Sequence, residues 1–159
     1  MTTKSKGRLK VGYGVKDFEN IVADRRENII LEGEFHHNFT PKTTLGLVGF
    51  RRTDETTIRE TDFVLTHGVS ASYNQRITEK LTAHLFLSYA WDQYQGEITI
   101  DDETREREDD LIRIRPSLRY EFAYWLMIDA AYGYSQRDSN FSIFDFSENR
   151  FSVRISFSL

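Results

Sequence analysis

The chemistry that this sequence offers lies in charged side chains placed at alternate positions. Arg113, Arg115 and Arg119 are separated by apolar or small residues, and Asp129 and Arg154 recur in the same way further along the chain. Successive side chains of a β-strand point to opposite faces, so this pattern predicts one charged face and one apolar face. Enclosed charges need partners or water. If the charged face is enclosed, the pattern indicates either a packed ion-pair network with trapped water or an arginine-lined interior that prefers anions. The predicted charge network comprises Lys10, Glu32, Glu34, Asp92, Arg113, Arg115, Arg119, Glu121, Asp129, Arg137 and Arg154.

The four histidines do not predict catalysis or metal binding. His84 shares a strand face with Ser88 and Asp92, but positions i and i+4 of a strand are about 13 Å apart at ~3.3 Å per residue, too far for a proton relay. The adjacent His36 and His37 point to opposite faces, so they cannot chelate one metal ion together. We expect no enzyme activity, no metal and no cofactor, and a hydrogen-bonded lumen position for His84.

Two long connections differ in character. The segment Asp101–Asp110 is strongly acidic but lacks the spaced Asp-x-Asp-x-Asp-Gly pattern of a calcium loop, so a solvated extracellular loop is expected. A later connection is apolar, which suggests that it folds over the barrel mouth, extends the hairpin or contacts a partner; extension of the strands is the favoured interpretation. Its apolar residues are Phe141, Ile143, Phe144 and Phe146.

Composition excludes several classes of protein. The 159 residues are 39% hydrophobic, 29% charged and 14% aromatic, which does not fit a disordered, collagen-like or coiled-coil chain. A net charge of −4 gives no basic footprint for nucleic acid, and the absence of cysteine excludes disulfide scaffolds and zinc–thiolate sites. No apolar run approaches the ~18 residues of a transmembrane helix. The N-terminus lacks the hydrophobic segment of a signal peptide, so either the protein stays in the cytoplasm or this is a mature or excised chain. The rest of the sequence favours the second interpretation.

The elements that position the charges are predicted to be eight strands. They cover residues 9–16, 29–39, 44–50, 63–74, 81–92, 112–122, 126–137 and 151–159. Short connections alternate with long polar ones near 19–27, 53–60, 95–109 and 136–148, which is typical of antiparallel outer-membrane barrels. Three residues fit the alternation poorly, because Val48 and Phe50 have the wrong parity and His67 lies on the apolar face. Pro116 predicts a bulge or a local unpaired position.

The alternation alone allows a soluble barrel with an apolar interior or a membrane barrel with an apolar exterior. Small residues on the charged face, aromatic residues near strand ends and apolar stretches of about ten residues favour the membrane. The predicted lipid-facing residues are Leu85, Leu87, Ile112, Ile114, Leu118, Ile128, Val153 and Ile155. The predicted aromatic girdle comprises Tyr89, Trp91, Tyr120, Phe122, Trp125, Tyr132, Tyr134 and Phe157.

Several segments resemble the putative β-barrel porin type 2 family of Gram-negative outer-membrane proteins. They are Val11–Phe18, Leu81–Ala83 with Leu87–Tyr89, Arg107–Leu111, Tyr132–Asn140 and Phe144–Arg150. Family members tend to be longer, so the resemblance implies the C-terminal part of a larger pore, or an excised or engineered eight-strand barrel. The last strand, ending at Phe157 and Leu159, also looks like the signal read by the barrel-assembly machinery.

Together these observations predict an all-β, eight-stranded antiparallel up-and-down transmembrane β-barrel in the bacterial outer membrane. We expect one domain over residues 1–159, with residues 1–7 as a disordered or periplasmic tail, and closure by pairing of Leu9–Val15 with Phe151–Leu159. At eight strands, side chains would fill and plug the charged lumen. The predicted partners are the bilayer and the assembly machinery, with a homo-oligomer left open. The alternatives are a passive membrane anchor and a soluble lipocalin-like binding barrel.

Overall fold

The chain forms a single eight-stranded antiparallel sheet in which each strand pairs with its neighbours in sequence. The computed structural model describes residues 4–16, 26–55 and 63–158. The strands are β1 Ser5–Lys16, β2 Arg26–Thr40, β3 Thr43–Glu55, β4 Phe63–Arg76, β5 Leu81–Ile100, β6 Glu103–Ala123, β7 Leu126–Ser139 and β8 Phe146–Phe157. A 3-10 turn, Ser142–Phe144, lies between β7 and β8. No helix in the described part of the chain is long and apolar enough to span a membrane.

The pairing register places the two residue classes on opposite faces of the sheet. Leu87 lies opposite Ile114, and Ile128 lies opposite both Tyr120 and Ile155. The predicted lipid-facing and girdle residues that lie in strands all have this parity, and they form what we call the apolar face; Trp125 lies in the turn between β6 and β7. Residues of the opposite parity form what we call the polar face. Lys10 lies opposite Glu32 on this face, and all eleven residues of the predicted charge network lie on it. Val48 and Phe50 also lie on the polar face.

The sheet is open, so the predicted closure is wrong for the described residues. β1 and β8 occupy opposite edges of the sheet, and no pairing joins them. The alternation in the sequence determines which face each residue occupies. It does not determine the tilt and stagger of the strands, and these decide where a barrel closes.

Several strands are longer than the sequence predicted. β5 and β6 continue to a tight turn at Asp101 and Asp102, both with positive φ, so the expected solvated loop at residues 101–110 is mostly strand. The pairing shifts between Gln93 and Glu97, where the bulge includes Gly96 at φ 122°. β1 begins at Ser5, so residues 5–7 of the expected tail belong to a strand.

Pro116 occupies an interruption in the pairing, as its chemistry predicts. The β6–β7 register is the same on both sides, with Ile114 opposite Tyr134 and Ser117 opposite Ala131, but no pairs form at residues 115 and 116. Proline lacks a backbone N–H donor and cannot contribute to the ladder. The local unpaired position is therefore confirmed, without a bulge at that point.

Candidate functional site: the polar face

The polar face of β5–β8 contains two adjoining grooves. The first has a volume of about 370 Å³ and is bordered by Arg113, Arg115 and Arg150. The second has a volume of about 630 Å³ and is bordered by Arg115, Arg119 and Arg154. Both grooves are also lined by Phe86, Arg115, Ala131 and Ser152. The shared lining shows that the two grooves form one continuous depression, which we call the arginine groove.

The depth of the arginine groove comes from small residues and from the interrupted pairing. Ala131, Gly133 and Ser135 alternate along β7 and line the first groove, with Ser152 beside them on β8. Gly133 lies level with the unpaired positions 115 and 116 of β6. A Cβ atom at Gly133 would meet nothing closer than the Arg150 carbonyl oxygen at 3.8 Å. The floor of the groove therefore contains open space next to arginine side chains.

The charges in the groove are only partly neutralised. Arg119 Nε donates to Asp129 Oδ1 at 2.8 Å, and Arg150 Nη2 donates to Glu148 Oε1 at 2.6 Å. Among the described residues, Arg113, Arg115 and Arg154 have no carboxylate within ion-pairing distance. The groove therefore carries an excess of positive charge.

The rest of the predicted charge network is distributed along the polar face. Arg8 Nη1 lies 3.5 Å from Glu34 Oε2 at the β1–β2 edge, and Thr66 donates a hydrogen bond of 2.6 Å to Asp92. β3, β4 and β5 separate the carboxylates of β2 from the arginines of β6–β8. The expected pairing of these two groups across a closed lumen does not occur, because the sheet is open.

A buried cluster at the long-connection end of the polar face was not predicted from the sequence. Arg107 is 3% exposed, and its Nε and Nη2 donate to the two oxygens of Asp109 at 2.8 and 2.5 Å. The guanidinium carbon lies 4.3 Å from the Tyr94 ring centroid and 3.6 Å from that of Phe144. Arg137 Nε lies 3.4 Å from Asp109, which is fully buried.

The segment 140–145 folds onto this cluster and is held there by backbone contacts. Asn140 accepts a hydrogen bond of 3.0 Å from the Glu108 N–H and donates one of 2.8 Å to the Glu106 carbonyl. Asp145 accepts from the Ser139 N–H at 2.6 Å, and Phe141 is 4% exposed beneath Arg105. The favoured prediction, extension of the strands, is confirmed in part, since β7 runs to Ser139 and β8 begins at Phe146. The remaining segment, 140–145, folds over one end of the polar face, which was the less favoured alternative.

A recognisable signal pointed to this cluster. Arg107, Asp109 and Leu111 continue the parity of Arg113 into the segment that was interpreted as a loop. Continued alternation, together with apolar side chains in the next connection, is the pattern of a hairpin whose inner face is covered.

The aromatic residues of the apolar face form contacts at both ends of the strands. Trp125 stacks on Phe157 at 6.4 Å near the short turns, and Tyr120 contacts Phe122 at the same end. At the other end, the hydroxyl groups of three tyrosines donate to polar side chains. These pairs are Tyr89 with Asp110, Tyr132 with Asn149 and Tyr134 with Gln136.

The adjacent His36 and His37 lie on opposite faces of β2, as their parity predicts. His84 lies on the polar face and borders the second groove, whereas His37 is on the apolar face, with its Nδ1 2.7 Å from Ser5 Oγ. His67, also on the apolar face, lies 5.9 Å from the ring of Trp91. No cluster of three or more metal-ligating side chains is found in the described ranges.

A family model described as putative beta-barrel porin 2 matches residues 1–159. The chain belongs to this porin family. It is a porin-like β-barrel outer-membrane protein by this membership, which confirms the resemblance inferred from the sequence. No curated protein matches the chain.

A solved structure shows a similar fold. OmpTΔL8, a loop L8 deletion mutant of an outer membrane protein of Vibrio cholerae, superposes with a TM-score of 0.62 at 12% identity. The match covers 99% of this chain and 50% of that chain, so this chain spans about half the length of that relative. Ail, the attachment invasion locus protein of Yersinia pestis, matches at 13% identity and a TM-score of 0.36, over 96% of this chain and 91% of Ail.

Proposed function

We propose that this chain forms part of the wall of a water-filled pore in the bacterial outer membrane. The apolar face contacts lipid, the polar face lines the lumen, and further strands, which a second copy of the chain supplies in the refolded protein, pair with the free edges of β1 and β8. The observation that carries the proposal is an open sheet whose two faces have opposite chemistry. Unpaired backbone groups are costly in hydrocarbon, so both edges require partners in a membrane.

The contacts of the apolar face support a membrane setting. Its large side chains are strongly exposed, for example Leu9 at 71%, Phe151 at 73% and Val153 at 56%. Exposed apolar area on this scale needs a nonpolar environment. The tyrosine hydroxyl groups bond to polar residues beyond the apolar band, as expected where rings lie at a membrane–water interface.

The polar face favours an open lumen over one plugged at eight strands. The interior of an eight-stranded barrel is filled by its own side chains or holds at most one small ligand. Here the polar face contains grooves of about 370 and 630 Å³, and the sheet does not close around them. The match to half of a longer outer-membrane protein is consistent with a wider barrel. We propose passive solute passage, with no catalytic step, and outer-membrane insertion through β8 by the assembly machinery.

Substituted-cysteine accessibility tests the assignment of the two faces. The chain has no native cysteine, so Ser70→Cys on the polar face and Val69→Cys on the apolar face are clean probes. After refolding into a planar bilayer, a charged, membrane-impermeant thiol reagent should reduce the conductance of Ser70→Cys. It should leave Val69→Cys unchanged, although the two residues are adjacent in sequence.

Two outcomes would contradict the proposal. Insertion without conductance would mean that the chain closes on a plugged interior and acts as a passive anchor. A chain that remains monodisperse without detergent would support the soluble lipocalin-like alternative, with its apolar face inside.

A further inference from the structure

We infer that the arginine groove is a binding site for small organic anions that carry a phosphate group. This inference rests on the proposed function, because the polar face must be in contact with water for a solute to reach it. The site combines free guanidinium groups, open volume and hydroxyl donors on neighbouring strands.

Two arginines of the groove are placed to act together. Arg113 and Arg115 are two residues apart on β6, so both side chains project from the same face at a backbone spacing of about 6.6 Å. Both border the first groove, and neither has an ion-pair partner among the described residues. The guanidinium group offers a planar fork of N–H donors that matches the oxygens of a phosphate group.

The third arginine of the first groove already has a partner. Arg150 pairs with Glu148, which also lines this groove. Because Glu148 neutralises only one of the three guanidinium groups, the first groove keeps an excess of positive charge. This excess favours an anionic ligand over a neutral one.

The groove also has room for the rest of a ligand. Its first part, about 370 Å³, lies within the size range of small-molecule sites. Ser135 and Ser152 supply hydroxyl groups, and Gly133 leaves the floor open. Phe86 forms an apolar wall against which a carbon skeleton can lie. A sugar phosphate has both a phosphate group for the arginines and a carbon skeleton for the rest of the groove.

The test is titration calorimetry of the refolded chain in a nonionic detergent, which contributes no phosphate headgroups. Glucose 6-phosphate should bind saturably, inorganic phosphate more weakly, and glucose should not bind. The variant Arg113→Gln/Arg115→Gln should weaken glucose 6-phosphate binding about tenfold or more, a loss of at least ~1.4 kcal/mol, because it removes the charged hydrogen-bond donors to the phosphate group. Arg113→Lys/Arg115→Lys keeps the charge without the fork and should bind with intermediate affinity.

A matched control separates the site from general charge. Lys10→Gln/Arg76→Gln removes two positive charges from β1 and β4, away from the groove, and should change the affinity less than about twofold. An equal loss of glucose 6-phosphate affinity in Arg113→Gln/Arg115→Gln and in the control variant would contradict the proposed site. The absence of saturable binding to the wild-type chain would also contradict it. Circular dichroism verifies that each variant is folded. If Arg113→Gln/Arg115→Gln misfolds, Gly133→Leu provides a second variant, because its side chain fills the groove without changing the charge. Gly133→Leu should abolish binding, and retained binding would contradict the site.

Bilayer conductance of the same preparations distinguishes the two proposals. A chain that conducts but does not bind glucose 6-phosphate would contradict the site alone. A chain that binds it but does not conduct would contradict the pore and leave the site in place.

Discussion

Arg107 and Phe144 are in direct contact, with the guanidinium carbon 3.6 Å from the ring centroid while the guanidinium group forms a fork with Asp109. Phe144 belongs to the 3-10 turn between β7 and β8, and Arg107 belongs to β6. The contact holds the 140–145 segment over one end of the polar face. In the proposed pore, this segment narrows one entrance to the lumen.

Removing the arginine from this cluster should destabilise the protein strongly. Arg107→Ala leaves the fully buried Asp109 carboxylate with Arg137, at 3.4 Å, as its one remaining cationic partner among the described residues. Removing one partner of a buried ion pair lowers the free energy of unfolding by about 3–5 kcal/mol. The free energy of unfolding, measured by urea titration in lipid vesicles, should fall by that order. Phe144→Ala removes a cation–π contact and should cost less, about 1–2 kcal/mol.

An exposed ion pair of the same type provides the control. Arg150→Ala breaks a pair whose side chains are 73% and 46% exposed, so the loss should be under about 1 kcal/mol. Equal losses for Arg107→Ala and Arg150→Ala would contradict the assignment of a buried, structural cluster.

Adding a side chain to Gly68 is expected to destabilise the protein, because the Phe50 ring must move to make room for it. The Phe50 ring lies on the polar face directly against Gly68, where an added Cβ atom would clash with it. Overpacking of this kind costs about 1–3 kcal/mol, so Gly68→Ala should lower the free energy of unfolding by that amount. Gly33→Ala is the control, since a Cβ atom added to Gly33 would have no neighbouring atom within 4 Å.

A double substitution identifies the cause of this loss. Phe50→Ala/Gly68→Ala should be more stable than the sum of the two single effects predicts, because the clash is absent. Strict additivity would show that the ring and the glycine are not coupled.

Charges on the apolar face should be costly only where that face meets lipid. Leu85→Arg and Ile128→Arg are each expected to lower the free energy of unfolding in lipid vesicles by about 2–4 kcal/mol, the cost of arginine at the bilayer midplane. Ser70→Arg places the same charge on the polar face and should have little effect. Near-neutral results at both Leu85 and Ile128 would reverse the assignment of the faces.

The sequence determines the face of each residue better than it determines curvature or loop packing. Phe151, Val153 and Ile155 alternate with polar residues, and strand geometry alone places them together. The position of Val48 and Phe50 on the polar face was unexplained at the sequence level, because their burial depends on cross-strand neighbours such as Gly68. Strand parity is a local property, whereas packing across strands is not.

The arginine groove and the Arg107 cluster differ in how far the sequence revealed them. Arg113, Arg115 and Arg119 were predicted to share a face, and they do. Arg119 pairs with Asp129, whereas Arg113 and Arg115 have no carboxylate nearby among the described residues. That difference depends on strand order and on the open edges, which alternation does not encode. The burial of Arg107 depends on a segment more than thirty residues later in the chain folding back over it.

The open edges provide the last prediction, which concerns cross-linking. Cysteines introduced as Val11→Cys on β1 and Val153→Cys on β8 are the only thiols in the chain. A disulfide requires Cα atoms about 4.4–6.8 Å apart, and the two strands lie at opposite edges of the sheet. Oxidation of the membrane-inserted double variant should therefore give no internally cross-linked monomer on a non-reducing gel. Leu87→Cys/Ile114→Cys, which joins directly paired residues of β5 and β6, should cross-link readily. An efficient intrachain bond between β1 and β8 would show that the chain closes into an eight-stranded barrel in the membrane, and would contradict the wider pore.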